Sequence, residues 1–299
     1  MNNLSPIVIF VFNRVKHLSM LIESLKNNRE AKYSNLFIFS DGPKTDEDIT
    51  KVDQVRKYLK SIKGFKSIEV FEQDSNLGLS KSVINGVSKI INSEKKAIIL
   101  EDDMIVSPNF LEYMNIGLTK FKEEKKIASI HGYCYPVKDN LPHFFFLKGA
   151  DCWGWATWKD RWELIELNPK NLIQKIKESN QIKKFNFDWS YDYFKMLEDN
   201  LKEKNDSWAI RWHASMFLKN KLTLYPGKSL VRNNGVDGTG THSEKSNYFD
   251  INLSNQKIIL DNLELKESPI AYDSFKKFFL QRKSLLFKLK SKLKNLKWT

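Results

Sequence analysis

The amino-acid sequence predicts an α/β fold in which a mostly parallel sheet is flanked by helices. Three observations point there. Short apolar, β-branched runs recur through the first 130 residues. Between them, apolar residues return every three or four positions, the period of a helix with one buried face. Three of the runs end in polar clusters, and ligands of open parallel sheets bind beyond the carboxyl ends of the strands. Alternation of this kind carries the chain back across the sheet between strands, so the strands run parallel and helices cover both faces.

Residues 7–12 follow Pro6 as an unbroken apolar run, the pattern of a strand buried on both faces. Leu18, Leu21, Ile22 and Leu25 then mark a helix. A second strand over 36–39 ends in the turn Ser40-Asp41-Gly42-Pro43. Residues 46–60 read as a charged helix and 67–71 as a third strand. Val83, Ile84, Val87, Ile90 and Ile91 give the next helix, and 97–100 a fourth strand that runs into Glu101-Asp102-Asp103. A helix over 109–122 carries Phe110, Leu111, Met114, Leu118 and Phe121 on one side, and 127–130 is a fifth strand. From Tyr133 the pattern is less regular and rich in aromatic residues. There is no linker, so residues 1–130 and 131–272 are expected to be two halves of one unit. Residues 233–241 form a Gly-rich loop, and 273–299 a separate basic amphipathic helix.

The 299 residues are 41% hydrophobic and 13% aromatic, enough for a sizeable core, which excludes disorder as the main state. Cys134 and Cys152 fall in no metal-ligand spacing and make no disulfide framework, which suits a reducing cytosol. No run suits a secretory signal or reaches the roughly 18 apolar residues of a membrane span. The net charge is +13, and nine of those charges lie in residues 274–299, which contain no acidic residue. A basic balance concentrated in a tail argues against nucleic acid as the partner and for an anionic membrane surface. Two phosphate-loop decoys fail. Pro226-Gly-Lys-Ser229 lacks the earlier glycine, and Gly235, Gly238 and Gly240 open no helix after a first strand.

Three adjacent carboxylates at a strand end repel one another and call for a cation, Mn2+ or Mg2+, which takes oxygen ligands. The other reading of Glu101-Asp102-Asp103 is a solvated acidic turn or a helix cap. The sequence around it, residues 98–113 (Ile-Ile-Leu-Glu-Asp-Asp-Met-Ile-Val-Ser-Pro-Asn-Phe-Leu-Glu-Tyr), resembles the metal-binding segment of GT-A glycosyltransferases. It is most similar to the Golgi N-acetylglucosaminyltransferase I type, family thirteen, and to bacterial family-two-like sugar transferases. The resemblance extends over residues 5–245. The run 7–14 resembles the first strand, Ser40-Asp41-Gly42 the second-strand aspartate turn, and Cys152-Trp-Gly-Trp-Ala-Thr-Trp158 the acceptor-side segment. Ser207-Trp-Ala-Ile-Arg-Trp212, Tyr225-Pro226 and Gly238-Thr-Gly-Thr-His242 match the later half of bacterial relatives.

That resemblance implies a GT-A fold with a nucleotide-sugar-binding half, 1–130, and an acceptor-side half, 131–272. Asp103 is then the metal ligand, and Glu101 and Asp102 bind the nucleotide sugar, with Arg14 and Asp41 on the nucleotide. A late His, here His242, closes on the metal and diphosphate, its other reading being a surface histidine. Trp153 and Trp155 face the acceptor, while the other reading of the tryptophans is core packing. Arg211 serves the diphosphate or a structural ion pair. The family's catalytic base is an Asp flanked by tryptophans, but residues 208–212 contain no carboxylate. Asp206 is therefore the first candidate, with a helix cap as its other reading, and Asp188 and Asp160 follow. The implied activity is a metal-dependent, inverting transfer from a nucleotide-sugar donor, a UDP-sugar above all, to a glycan or lipid-linked glycan acceptor. Its expected setting is bacterial surface polysaccharide synthesis such as lipopolysaccharide, with the enzyme cytoplasmic and peripheral on the inner face of the membrane. The alternatives are a sugar nucleotidyltransferase, which normally has a Gly-rich basic loop after its first strand, and a non-enzymatic membrane or nucleic-acid binding protein.

Overall fold

In the computed structural model, residues 4–235 and 248–296 are described, with the backbone alone for 285–296. The first half alternates as its periodicity requires: β1 (Ile7–Val11), α1 (Val15–Lys26), β2 (Asn35–Ser40), α2 (Asp46–Leu59), β3 (Ser67–Glu72), α3 (Leu79–Glu94) and β4 (Lys96–Glu101). A short β5 (Met104–Val106), α4 (Phe110–Lys120) and β6 (Ile127–His131) follow. The second half holds β7 (Phe144–Lys148), β8 (Trp155–Trp158), α5 (Lys159–Trp162), α6 (Pro169–Glu178), α7 (Ile182–Phe185), α8 (Tyr193–Leu201), α9 (Trp208–Leu218), β9 (Leu222–Pro226), β10 (Val231–Asn233) and α10 (Pro269–Leu296).

One eight-stranded sheet crosses both halves in the order β3-β2-β1-β4-β8-β6-β9-β7. β3, β2, β1 and β4 pair in parallel, β8 runs antiparallel between β4 and β6, and β9 is parallel to β6. The β1 side chains alternate between two cores. Ile7, Ile9 and Val11 face the core filled by α1, α2 and α4, and Val8 and Phe10 face α3 and α9. This is why residues 7–12 read as apolar at every position. α2 starts at a capping box in which Thr45 and Asp48 serve each other's backbone N–H, so its charged sequence has a fixed beginning.

The C-terminal helix differs from its expectation. Ser268 caps it and Pro269 sits in its first turn, so it begins several residues before 273. Tyr272, Phe275, Phe278 and Phe279 are buried in a third core with Phe145, Phe185, Phe187 and Tyr225. The first turns of this helix are thus part of the body rather than a separate element. Their apolar stripe is spent on packing. No helix among the described residues is long and apolar enough to cross a membrane.

Candidate active site

The central strand β4 delivers the acidic turn. Ala97, Ile98, Ile99 and Leu100 are buried between β1 and β8, and the chain then turns sharply, with Asp102 N–H donating to Phe10 O (3.0 Å). β5 returns by pairing with β10, and Asn234 N–H donates to Asp103 O (2.7 Å). Gly235 lies directly on the carboxylate: a Cβ there would stand 2.3 Å from Asp103 Oδ2. Sequence reasoning missed Asn234 and Gly235 as parts of the site, because only the long-range β5–β10 pairing brings them to Asp103.

Arg14, in the turn after β1, pairs with both aspartates. Its Nη2 donates to Asp102 Oδ1 and to Asp103 Oδ2, the latter at 3.0 Å. Burial works against the Arg14 charge, but Asp102 and Asp103 outweigh it and hold the guanidinium protonated. Burial, then the charges of Asp103 and Asp102, push the Glu101 carboxyl well above the ordinary range against the pull of Arg14. Burial likewise raises Asp102, with Arg14 opposing and Asp103 reinforcing. Asp103 Oδ1 is buried without a hydrogen-bond partner. A cluster of mutually repelling carboxylates with one unpartnered oxygen fits a hard divalent cation. No three His, Cys, Asp or Glu side chains among the described residues form a metal cage. The donor set therefore suits a cation held by one or two carboxylates and completed by phosphate oxygens.

Asp41 follows β2 and turns its carboxylate to the start of α3. Its carboxylate accepts from the N–H groups of Gly42, Leu77 and Gly78 (2.8–3.0 Å) and from Ser82 Oγ, fixing the start of α3. Arg211, on α9, reaches the same helix start, with Nη2 donating to Ser80 Oγ at 2.5 Å. These two expected nucleotide contacts are thus neighbours across α3, and Asp41 already carries four bonds.

Trp155 is 1% exposed, packed with Trp162, Trp208 and Trp212 in the core on the α9 face. Strand alternation turns it inward, so it is a packing residue rather than an acceptor platform. Trp153, half-buried, lines a cavity of about 250 Å3 with Tyr133, Tyr191, Tyr193, Cys152 and Asp151. Gly154 between them has φ +63° and its carbonyl accepts from Gly132 N–H at 2.7 Å. Asp206 is exposed and pairs with Arg211 (3.3 Å), while Ser207 takes the cap of α9. Asp188 is held by Lys276 of α10 (3.0 Å). Asp160 follows β8, whose Trp158 pairs with Lys96 at the start of β4. It therefore stands at the opposite end of the sheet from the acidic turn, bonded to Lys125 and Arg161. His242 lies outside the described residues.

Residues 7–144 match the family described as Glycosyl transferase family 2. No curated protein matches the chain. Among solved structures, S. aureus TarS is similar at 15% identity over 48% of this chain and 24% of that one, with a TM-score of 0.32. S. aureus TarS 1–349 in complex with UDP-GlcNAc is similar at 14% identity over 46% of this chain and 36% of that one, again at 0.32. The chain thus spans well under half the length of these structures, and scores of 0.32 are too low to argue a shared overall architecture. The family match covers β1 to the first residue of β7, including Arg14, Asp41 and the acidic turn. The chain thus carries a glycosyl transferase family 2 region over residues 7–144, the part of the sheet that ends in the acidic turn.

Proposed function

We propose that the protein transfers a sugar from a nucleotide-diphosphate donor, a UDP-sugar above all, to a hydroxyl of a glycan or lipid-linked glycan, with inversion at the anomeric carbon. The observation that carries this reading is the buried acidic turn after β4, where Asp103 keeps one oxygen without a partner while Arg14 neutralises its neighbours. Mn2+ or Mg2+ bound there would offset the negative charge of the departing diphosphate. Asp103 would hold that cation. Arg14 orients Asp102 and Asp103, and Glu101 and Asp102 present polar groups to the sugar. Arg211 and the loop that Asp41 fixes hold the nucleotide. A single direct displacement, with the acceptor approaching opposite the leaving group, gives inversion.

The setting we propose is bacterial surface polysaccharide assembly on the inner face of the cytoplasmic membrane. Residues 285–299 contain five lysines and no acidic residue. Each basic residue near an anionic leaflet contributes about 1 kcal/mol, so this segment suffices for peripheral attachment. The packed aromatic turns of α10 need take no part in it.

The test is calorimetric titration of the full chain with UDP-GlcNAc, UDP-glucose, UDP-galactose and GDP-mannose, with Mn2+ and with EDTA, followed by donor turnover. We expect a UDP-sugar to bind at least tenfold more tightly with Mn2+ and its turnover to vanish in EDTA. Absence of binding to every nucleotide sugar would remove this reading, and metal-independent turnover would remove the role of Asp103.

A further inference from the structure

Asp151 differs from the three carboxylates that the sequence offers as the base. Asp206, Asp188 and Asp160 are each paired with a cation. Hydrogen bonding from Lys276 holds the Asp188 carboxyl below its ordinary range; burial raises Asp160, but Lys125 and Arg161 outweigh it. A carboxylate that already serves a cation is a poorer proton acceptor. Asp151 Oδ2 instead accepts from the Tyr225 hydroxyl at 2.9 Å. That bond uses one of about four lone-pair positions that a carboxylate offers.

Its position joins the acidic turn to the aromatic cavity. β4 and β8 pair antiparallel as far as Ile99 opposite Trp155, so the residues after β4 and those before β8 leave the sheet at the same end. Burial first, then the charges of Glu101, Asp151 and Asp103, raise the thiol of Cys152. The acidic turn and Asp151 therefore both act on the same side chain. Beyond it the cavity of about 250 Å3 is walled by rings: Trp153 edge-on to Tyr133 (4.8 Å) and Tyr191 against Tyr193 (4.4 Å). His213 stacks on Tyr193, and burial lowers its pKa, so this wall is neutral at physiological pH. Drug-sized ligand sites measure roughly 300–1,000 Å3. A smaller cavity of aromatic faces and phenol hydroxyls with one carboxylate suits a single sugar ring.

We propose that this cavity receives the acceptor's sugar ring and that Asp151 is the catalytic base. The proposal rests on the nucleotide-sugar reading above. The acceptor oxygen bonds to the donor anomeric carbon as its proton passes to an Asp151 carboxylate oxygen. The bond from that carbon to the diphosphate oxygen breaks, and its electron pair leaves on the diphosphate. Water entering the cavity in place of a sugar would react in the same way, giving donor hydrolysis.

The experiment compares wild type, Asp151→Asn, Asp206→Asn and Ala209→Phe. Ala209 lines the cavity, and the larger ring would fill it. UDP-GlcNAc and the other nucleotide sugars serve as probes for affinity and hydrolysis, and a panel of aryl glycosides for transfer. Asp151→Asn is expected to lower hydrolysis and transfer at least 100-fold while donor affinity stays within twofold. Asp206→Asn is expected to change turnover less than fivefold. Ala209→Phe is expected to raise the KM for a glycoside acceptor at least tenfold, or to cut hydrolysis as far where no glycoside is used, again with donor affinity kept. Wild-type turnover in Asp151→Asn overturns the base assignment. If that variant fails to fold, an unchanged acceptor KM and hydrolysis rate in Ala209→Phe overturns the cavity. A wild type that binds no nucleotide sugar refutes the donor reading instead and is recognised by that loss alone.

Discussion

The two sides of the sheet hold their polar groups by different means. On the β1–β4 side, Arg14, Asp41 and Glu101 to Asp103 sit where parallel strands end, each placed by the backbone ladder and the turn that follows. On the other side, Asp151, Trp153 and His213 are placed by rings packed between β6, α8, α9 and α10. A charge at a strand end can change with little effect on the core. A group framed by aromatic packing cannot, so substitutions there move stability and function together.

The largest effect we expect tests that contrast directly. Trp155 touches Trp162, Trp208 and Trp212 at ring separations of 5.7, 5.5 and 5.8 Å. Trp155→Ala empties this cluster and should cost roughly 3–5 kcal/mol of stability, as large-to-small core changes do. Urea unfolding with the slope held in view measures it. Unchanged stability with impaired acceptor use would return Trp155 to a ligand-facing role and break the comparison.

On the strand-end side the expectation is the reverse. Asp103→Asn keeps the volume and removes the charge that faces Arg14 and the unpartnered oxygen. Turnover should fall roughly 100- to 1,000-fold, the usual range when one aimed electrostatic group is lost, together with the Mn2+ dependence of nucleotide binding. Stability should change by less than about 2 kcal/mol, because losing the charge that faces Arg14 is offset by relief of its repulsion with Glu101 and Asp102. A variant that unfolds instead would mean that the acidic turn is structural.

This division also governs what was legible in the sequence. The strands β1 to β4 and β6 were legible as short apolar runs, because strands between two helical layers are apolar throughout, as 7–12 and 97–100 are, whereas the short β5 was not read. Strands β7 to β10 were not read. Phe144 to Leu147 is apolar without alternation, and Trp155 to Trp158 is an aromatic run whose sheet neighbours, Lys96 to Ile99, lie about sixty residues earlier. The acidic turn was legible because three carboxylates in succession are rare at the end of a strand. Asp151 was not, although it stands two residues before Trp153. Its signal is the Tyr225 bond and the surrounding rings, none local in sequence. Gly235 was seen only as part of a flexible composition, since its meaning comes from the carboxylate above it.

Acid sensitivity sharpens the same line. Burial pulls His131 down to about 4 against the opposing charge of Asp151, and its Nδ1 is buried without a partner. The unfolded chain takes up this proton near pH 6.5 while the folded chain refuses it until about pH 4. The stabilisation is therefore complete above 6.5 and is lost as the pH falls toward 4, by roughly 3 kcal/mol at 1.36 kcal/mol per unit. His131→Gln cannot titrate, so the difference between wild type and variant isolates this residue from every other group. Urea midpoints at pH 7.5 and 4.5 should lie closer together in the variant. An equal acid loss in both would place the sensitivity in other groups, buried His213 among them.

The smallest effect concerns the seam between the two sides. β10 reaches across to β5, and its continuation brings Gly235 onto Asp103. A methyl group at 235 would approach Asp103 Oδ2 to 2.3 Å, closer than carbon and oxygen can stand, so Gly235→Ala must displace one of them. The core is untouched, because Asn233 and Asn234 remain bonded as before: Asn233 Oδ1 accepts from the 235 N–H and Asn234 N–H donates to Asp103 O. The carboxylate, still tied to Arg14, would shift by a fraction of an ångström. A displaced ligand weakens cation binding without abolishing it, so we expect a Mn2+ requirement roughly tenfold higher, equal to about 1.4 kcal/mol, with the maximal rate largely restored at saturating metal. Calorimetric Mn2+ titration in the presence of UDP reads this apart from turnover. Unaltered Mn2+ affinity would show that the cation is not held by the Asp103 carboxylate in the position that Gly235 leaves open to it.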